Sequence, residues 1–197
     1  PLFYKRGGNG QPNLWIERMK VSMRELCSVY NTHRMVQEYT ERFYLPASQH
    51  TQRLAANQSE RARELAAWKE LLTQNWSEIE VLAANVTPDE EYQVGDKITA
   101  QAWVHLSELS AADVTIAFYF GRMDIDGEIV DAEAIEMQNI ADDGENNHHF
   151  EAKDVICEQS GRYGYTIRIL PSHPDLVSPY LPDQITWAEP ETPRNIS

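Results

Sequence analysis

Few of the residues that usually announce chemistry are present in this 197-residue chain. It has two cysteines, Cys27 and Cys157, neither in a CxxC or ligand-like spacing, which argues against a secreted disulfide scaffold and fits a reducing cytoplasm. No apolar run approaches the roughly 18 residues of a membrane helix, and no charged-then-apolar signal segment opens the chain. No GxGxxG or P-loop glycine pattern occurs. Basic residues are scarce where the chain is acidic. Residues 1–77 hold 11 Lys and Arg against 7 Asp and Glu, whereas residues 78–197 hold 6 against 24. The acidic part repels phosphate backbones, and the first part has no clustered basic run, so nucleic acid is not an expected partner. An initiator methionine is also missing. "PLFYKRGGNG" reads as a piece of something longer.

What is present falls into two compositional halves. In the first, Trp15, Ile16, Met19, Met23 and Leu26 recur at helical spacing, with Pro12 suited to a first helical turn. Asn31 or Thr32 can cap a second helix, along which Met35, Tyr39 and Phe43 form a stripe, with Pro46 as its stop. Glu38 and Arg42 form an i,i+4 pair. From about Gln49 to Trp76 the composition is that of a long helix, with Leu65, Trp68, Leu72 and Trp76 on its apolar face. Cys27 and Cys157 read as small core residues.

From Ser77 the period drops to two. Ile98, Ala100, Ala102 and Val104 alternate against Thr99, Gln101, Trp103 and His105. Val114, Ile116, Phe118 and Phe120 do the same, as do Tyr163, Tyr165, Ile167 and Ile169. Short strands separated by turn signals predict an antiparallel β-sandwich, so the fold class is α+β. In "SGRYGYTI", Gly161 precedes a corner Tyr163, and Tyr165 takes the inward place that antibody domains give a cysteine, a likeness to immunoglobulin-like sandwiches. The Pro-rich stretch "LPSHPDLVSPYLPD" reads as a closing surface loop. The expected division is a helical segment over 1–77 and a sandwich with a Pro-rich tail over 78–197.

Candidate sites are few. "DIDGE", Asp124 to Glu128, begins like a calcium loop but lacks the later ligands, and a hairpin turn is the better reading. His148 and His149, near Asp142, Asp143 and Glu145, would point to opposite faces of a strand and cannot readily share a metal; a solvated loop is expected there. No catalytic, cofactor-binding or metal-ligating residue is assigned. Trp103, His105 and Tyr119 face away from the predicted core, where flat rings can stack on a sugar or pack on another domain.

The segment "LWIERMKVSMRELCSVYNTHRMVQEYTERFY" resembles the last helices of the α-glucan phosphorylases, through Trp15, Arg18, Met19, Tyr30, Asn31, Thr32, Arg34, Met35, Val36, Glu38, Tyr39, Phe43 and Tyr44. "PLFYKR" resembles the segment just upstream in that family. The acidic half looks like the C-terminal extension of a bacterial subgroup, whose sandwich ends in "SGRYGYTIRILPSHPDL". The resemblance implies a parent enzyme of the two-domain glycosyltransferase-B type that uses phosphate to release glucose 1-phosphate from α-1,4-glucan. It also implies pyridoxal phosphate on a lysine in a Gly-rich segment. That segment is absent here, and Lys20, Lys69, Lys97 and Lys153 lack its setting, so no family catalytic residue is carried over and the piece is expected to be inert without cofactor. Its expected partners are the upstream domains of the same polypeptide, with glucan and phosphate for the parent. A carbohydrate-binding module and a protomer-joining module are the rival expectations. The Met35–Tyr39–Phe43 stripe would be covered by the sandwich or by a second copy.

Overall fold

The computed structural model describes residues 2–87, 94–156, 158, 160–188 and 194–196. The chain forms two compact units, Pro1–Ser59 and Glu60–Ser197.

The first unit is helical. A 3-10 turn at Leu2–Tyr4 precedes helix α1, Asn13–Leu26. Pro12 sits at its N-cap, and its carbonyl accepts from the amides of Trp15 and Ile16. Helix α2, Thr32–Tyr39, is capped by Asn31, whose side chain accepts from the Arg34 amide at 2.8 Å. That bond satisfies one of the donors a helix start leaves unpaired.

Pro46 does not stop the helix, contrary to expectation. A π-helical turn, Thr40–Tyr44, leads directly into a further helical stretch, α3, Leu45–Asn75. In the turn the Leu45 amide donates to the Thr40 carbonyl. The wider turn accommodates a ring that an α-helix interior would reject. Glu38 pairs with Arg34 at 2.6 Å rather than with Arg42.

No residue from 2 to 59 is buried. Met35, Tyr39 and Phe43 remain about half exposed, with Tyr39 and Phe43 rings 5.6 Å apart. Cys27 is exposed at the end of α1 and is not a core residue. Cys157 lies outside the described residues.

The long helix is not continuous. Ala56 is extended (ψ 157°), and Asn57, Gln58 and Ser59 take left-handed φ values of 51°, 57° and 62°. Side-chain-bearing residues there are strained by roughly 1–2 kcal/mol each. No Gly or Pro marks this break. The boundary between the two units falls immediately after it.

The second unit opens with the C-terminal part of α3 and a 3-10 turn at Trp76–Glu78. Among the described residues nine strands follow: β1 Glu80–Thr87, β2 Lys97–His105, β3 Val114–Met123, β4 Ile129–Glu136, β5 Gln138–Asp142, β6 Asn147–Ile156, β7 Gly161–Pro171, β8 Thr186–Trp187 and β9 Arg194–Ile196. They form two antiparallel sheets, β1-β2-β6-β5 and β4-β3-β7-β8, with β9 also paired to β7. One buried row comes from each sheet, Ile98, Ala100, Ala102 and Val104 from β2, and Ile116 and Phe118 with Ile167 and Ile169 from β3 and β7. This is the layering of a β-sandwich. Each large side chain buried this way stabilises the fold by about 1.5–3 kcal/mol. Tyr163 and Tyr165 are buried as the alternation predicts, Tyr163 stacked 4.8 Å from Phe120 and Tyr165 5.4 Å from Phe118.

Leu65, Trp68, Leu72 and Trp76 bind the last helical segment to the sandwich, and all four are buried. The Trp68 indole N–H donates to Asp113 Oδ1 at 2.7 Å, and its ring lies 4.8 Å from His173. Arg61 pairs with the buried Asp175 at 3.0 Å, and Gln184 donates to Thr73 at 3.0 Å. His173 and Asp175 come from the Pro-rich closing stretch, and Gln184 directly follows it, so this stretch clasps a helix.

Candidate ligand-contact faces

Sheet pairing decides which of the sequence candidates meet. Trp103 and His105 lie on β2 of the first sheet, and Tyr119 lies on β3 of the second. All three alternate with core residues and point away from the space between the sheets. Trp103 and Tyr119 thus belong to opposite outer faces and cannot form one platform.

On the first face, Trp103 is the direct cross-strand partner of His149. Their rings stack with centroids 4.3 Å apart and planes 12° from parallel, so one face of the indole is covered by imidazole. His105 Nδ1 lies 2.8 Å from Asn147 Oδ1. The Asn147 amide nitrogen donates to Asp143 Oδ2 at 2.8 Å, which turns its oxygen toward the imidazole. His105 must then carry its proton on Nδ1, because an amide oxygen only accepts. Asn147 also heads the causes that hold the Asp143 carboxyl below its ordinary range, followed by the Glu145 amide.

The two histidines do not sit in a solvated loop. Both are in β6, with His148 buried and His149 outward, so their divergence follows the strand's alternation. The loop 142–147 is ordered by its own carboxylates: the Gly144 amide donates to Asp142 and the Glu145 amide to Asp143. Asp124 likewise accepts from the amides of Asp126 and Glu128 at 2.9 and 3.0 Å. Gly127, at φ 85°, completes that β3–β4 hairpin as the turn signal predicts. Among the described residues no group of three or more His, Cys, Asp or Glu is placed to hold a metal.

The second face holds a cluster only partly visible in sequence. Trp187 on the two-residue strand β8 pairs directly with Arg168 of β7. The Tyr119 and Trp187 rings meet edge to face, centroids 5.2 Å apart and planes at 82°. The Arg168 guanidinium lies over both, 5.3 Å from the Tyr119 ring and 5.5 Å from Trp187. Such cation–π contacts are worth about 0.5–2 kcal/mol each and lock the rings. Beside the cluster lies a groove of about 300 Å³ lined by Tyr119, Trp187, Thr166, Glu128, Gly127 and Gly164, among others. Trp187 was hidden by its Pro-rich surroundings; only its pairing with β7 brings it to Tyr119.

The lysines do not fit pyridoxal phosphate. A Schiff-base lysine needs a desolvated, readily deprotonated amine. Lys153 is exposed and held protonated by Glu151, 2.7 Å away, which raises its pKa. Lys97 is exposed and paired with Asp154 at 2.8 Å. Lys5, Lys20 and Lys69 are also exposed, the last two on helices.

The fold is that of a β-sandwich module preceded by helices. Residues 76–189 match the family model described as the glycogen phosphorylase C-terminal domain, and the chain belongs to that family. It is similar to the glycogen phosphorylase of Mycobacterium tuberculosis, 32% identical over 180 residues, which are 90% of this chain and 21% of that protein. It is similar also to the maltodextrin phosphorylase of Thermococcus litoralis, 27% identical over 88% of this chain and 20% of that protein. The chain thus spans about a fifth of the length of the curated relatives it matches. Among solved structures, the C-terminal domain of Wzt aligns with a TM-score of 0.41 and 11% identity over 60% of this chain and 73% of its own, too distant to bear on function. Among the described residues no helix is long and apolar enough to cross a membrane.

Proposed function

We propose that this chain is the C-terminal part of an α-glucan phosphorylase, a cytoplasmic enzyme that cleaves α-1,4-glucan with phosphate to release glucose 1-phosphate. The observation that carries the reading is the family match over residues 76–189, joined to similarity that runs over 90% of the chain yet spans only a fifth of each relative. Catalysis and pyridoxal phosphate belong to the upstream part, and the 197-residue chain alone is inactive.

Within the expected helical segment 1–77, residues 1–59 complete the second domain of a glycosyltransferase-B-type body, while the helix after Ser59 stays with the accessory sandwich of residues 78–197. The absence of any buried residue from 2 to 59 supports this. An amphipathic helix without cover has not yet met the surface its apolar stripe was selected for. The partner that covers Trp15, Met19, Met35, Tyr39 and Phe43 is the upstream polypeptide of the same chain, and a second copy is the rival. The sandwich is immunoglobulin-like in this reading: β1-β2-β6-β5 beside β4-β3-β7-β8 follows the ABED and C′CFG strand orders.

Glucose 1-phosphate release from glycogen and inorganic phosphate tests the proposal. The complete polypeptide should show it and the isolated chain should not. Turnover by the isolated chain, or none by the complete polypeptide loaded with pyridoxal phosphate, would overturn it.

A further inference from the structure

We infer that the outer face of the second sheet is a binding site for a neutral α-linked glucan chain, built on Trp187 and Tyr119 and steadied by Arg168. The identity of the sugar rests on the phosphorylase reading above; the existence of the site rests on geometry.

Trp187 sits on a strand of two residues and leaves 47% of its surface in water. A ring that exposed is usually free to turn, but this one is held from two sides by Tyr119 and Arg168. Arg168 Nε is sealed from solvent and has no hydrogen-bond acceptor among the described residues. Leaving such a donor unpaired is unfavourable. The guanidinium is therefore placed for its contact with the rings. A rigid aromatic pair loses little entropy when a ligand lands on it.

The adjoining groove fits a sugar chain in size and lining. Its volume of about 300 Å³ is at the lower end of small-ligand pockets. Gly127 leaves bare backbone in its wall, with only the Met123 methyl at 4.0 Å, whereas the space over Gly164 is filled by Met123 and Ile129, which form an apolar floor. Thr166 donates its hydroxyl proton to the Ala188 carbonyl at 2.9 Å, which leaves its oxygen to accept. Glu128 supplies carboxylate acceptors at the same groove. Apolar ring faces with hydroxyl acceptors at their edges match a pyranose, whose C–H face is apolar and whose rim is hydroxyl.

Charge narrows the class. Residues 78–197 carry 24 acidic against 6 basic residues, a field that disfavours sugar phosphates, nucleotides and acidic glycans. Ring geometry narrows it again. Planes 82° apart cannot both lie flat under a straight, ribbon-like β-1,4 chain. They suit a chain that turns from one residue to the next, as α-1,4-glucan does.

The test is a titration of the whole 197-residue chain with maltoheptaose, followed by amide and indole N–H shifts. Shifts should concentrate on Trp187, Tyr119, Gly164, Thr166 and Gly127. Trp187→Ala should weaken binding at least tenfold, and Trp103→Ala should leave it unchanged. Cellohexaose should respond more weakly. Because the unmodified protein is mapped directly, a misfolded variant does not remove the test. No shift at millimolar maltoheptaose, shifts centred on Trp103 and His149, or an equal response to cellohexaose would each overturn the inference. If glucose 1-phosphate release by the complete polypeptide persists while this titration fails, the phosphorylase reading stands and the site alone is lost.

Discussion

Trp68 offers the sharpest test of how the helical segment after Ser59 is joined to the sandwich. Its ring is buried against His173, and its N–H reaches the Asp113 carboxylate at 2.7 Å. Truncation to alanine removes a buried indole and should destabilise by about 3–5 kcal/mol. Trp68→Phe keeps most of the ring but deletes the donor. A hydrogen bond to a charged acceptor is worth about 1.5–3 kcal/mol. The lower part of that range is expected here, because Asp113 still accepts from the Ser110 amide and hydroxyl through Oδ2 at 2.9 and 2.6 Å. Urea denaturation of the two variants, followed by near-ultraviolet circular dichroism, should rank them alanine, then phenylalanine, then the parent. A cycle with Asp113→Asn should show coupling of about 1 kcal/mol or more for the phenylalanine exchange. If Trp68→Ala costs less than about 1 kcal/mol, the helix is not part of the sandwich's cooperative unit, and the clasp described above is wrong.

Two further outcomes follow from local geometry. A Cβ on Gly121 would lie 2.7 Å from the Ala132 backbone, so Gly121→Ala should lower stability by about 1–3 kcal/mol in the same denaturation assay; a neutral result would refute the close approach of β3 and β4. Asp143 and Asp154 are held below their ordinary 3.8, the first chiefly by the Asn147 side chain and the second by Lys97. Their contribution is therefore intact above the unfolded-state value and lost as pH falls through the lower folded-state value. Carboxyl-carbon titration should give midpoints below 3.8, raised for Asp143 by Asn147→Ala and for Asp154 by Lys97→Met, and midpoints at or above 3.8 in the parent would contradict these contacts.

Strands β2, β3 and β7 were legible because each buries one face, so alternation in composition mirrors alternation in burial. β5 was not, because all five of its residues are exposed and its pairing to β6 alone makes it a strand. β1 is interrupted by a bulge between Val81 and Ala83, which scrambles its period. The helix break at Ala56–Ser59 lacks glycine and proline, and Asn57, which tolerates left-handed backbone, is its one weak local signal. Pro46 misled in the opposite direction, because a π turn can take up its ring. The candidate site was half visible: Tyr119 is outward by period, but its partner Trp187 lies 68 residues further along and is delivered by strand pairing. Trp103 looked equally available until the register placed His149 upon it. Non-local pairing of this kind has no local signature.

In the proposed reading, residues 2–59 are the unfinished edge of a larger phosphorylase body, whereas the helix after Ser59 already has its partner in the sandwich. Amide hydrogen exchange on the isolated chain and on the complete polypeptide measures this directly. Amides of α1 and α2 should exchange quickly in the isolated chain and become strongly protected in the complete one, while those of residues 65–76 should be protected equally in both. Equal protection of α1 and α2 in the two forms would contradict the claim.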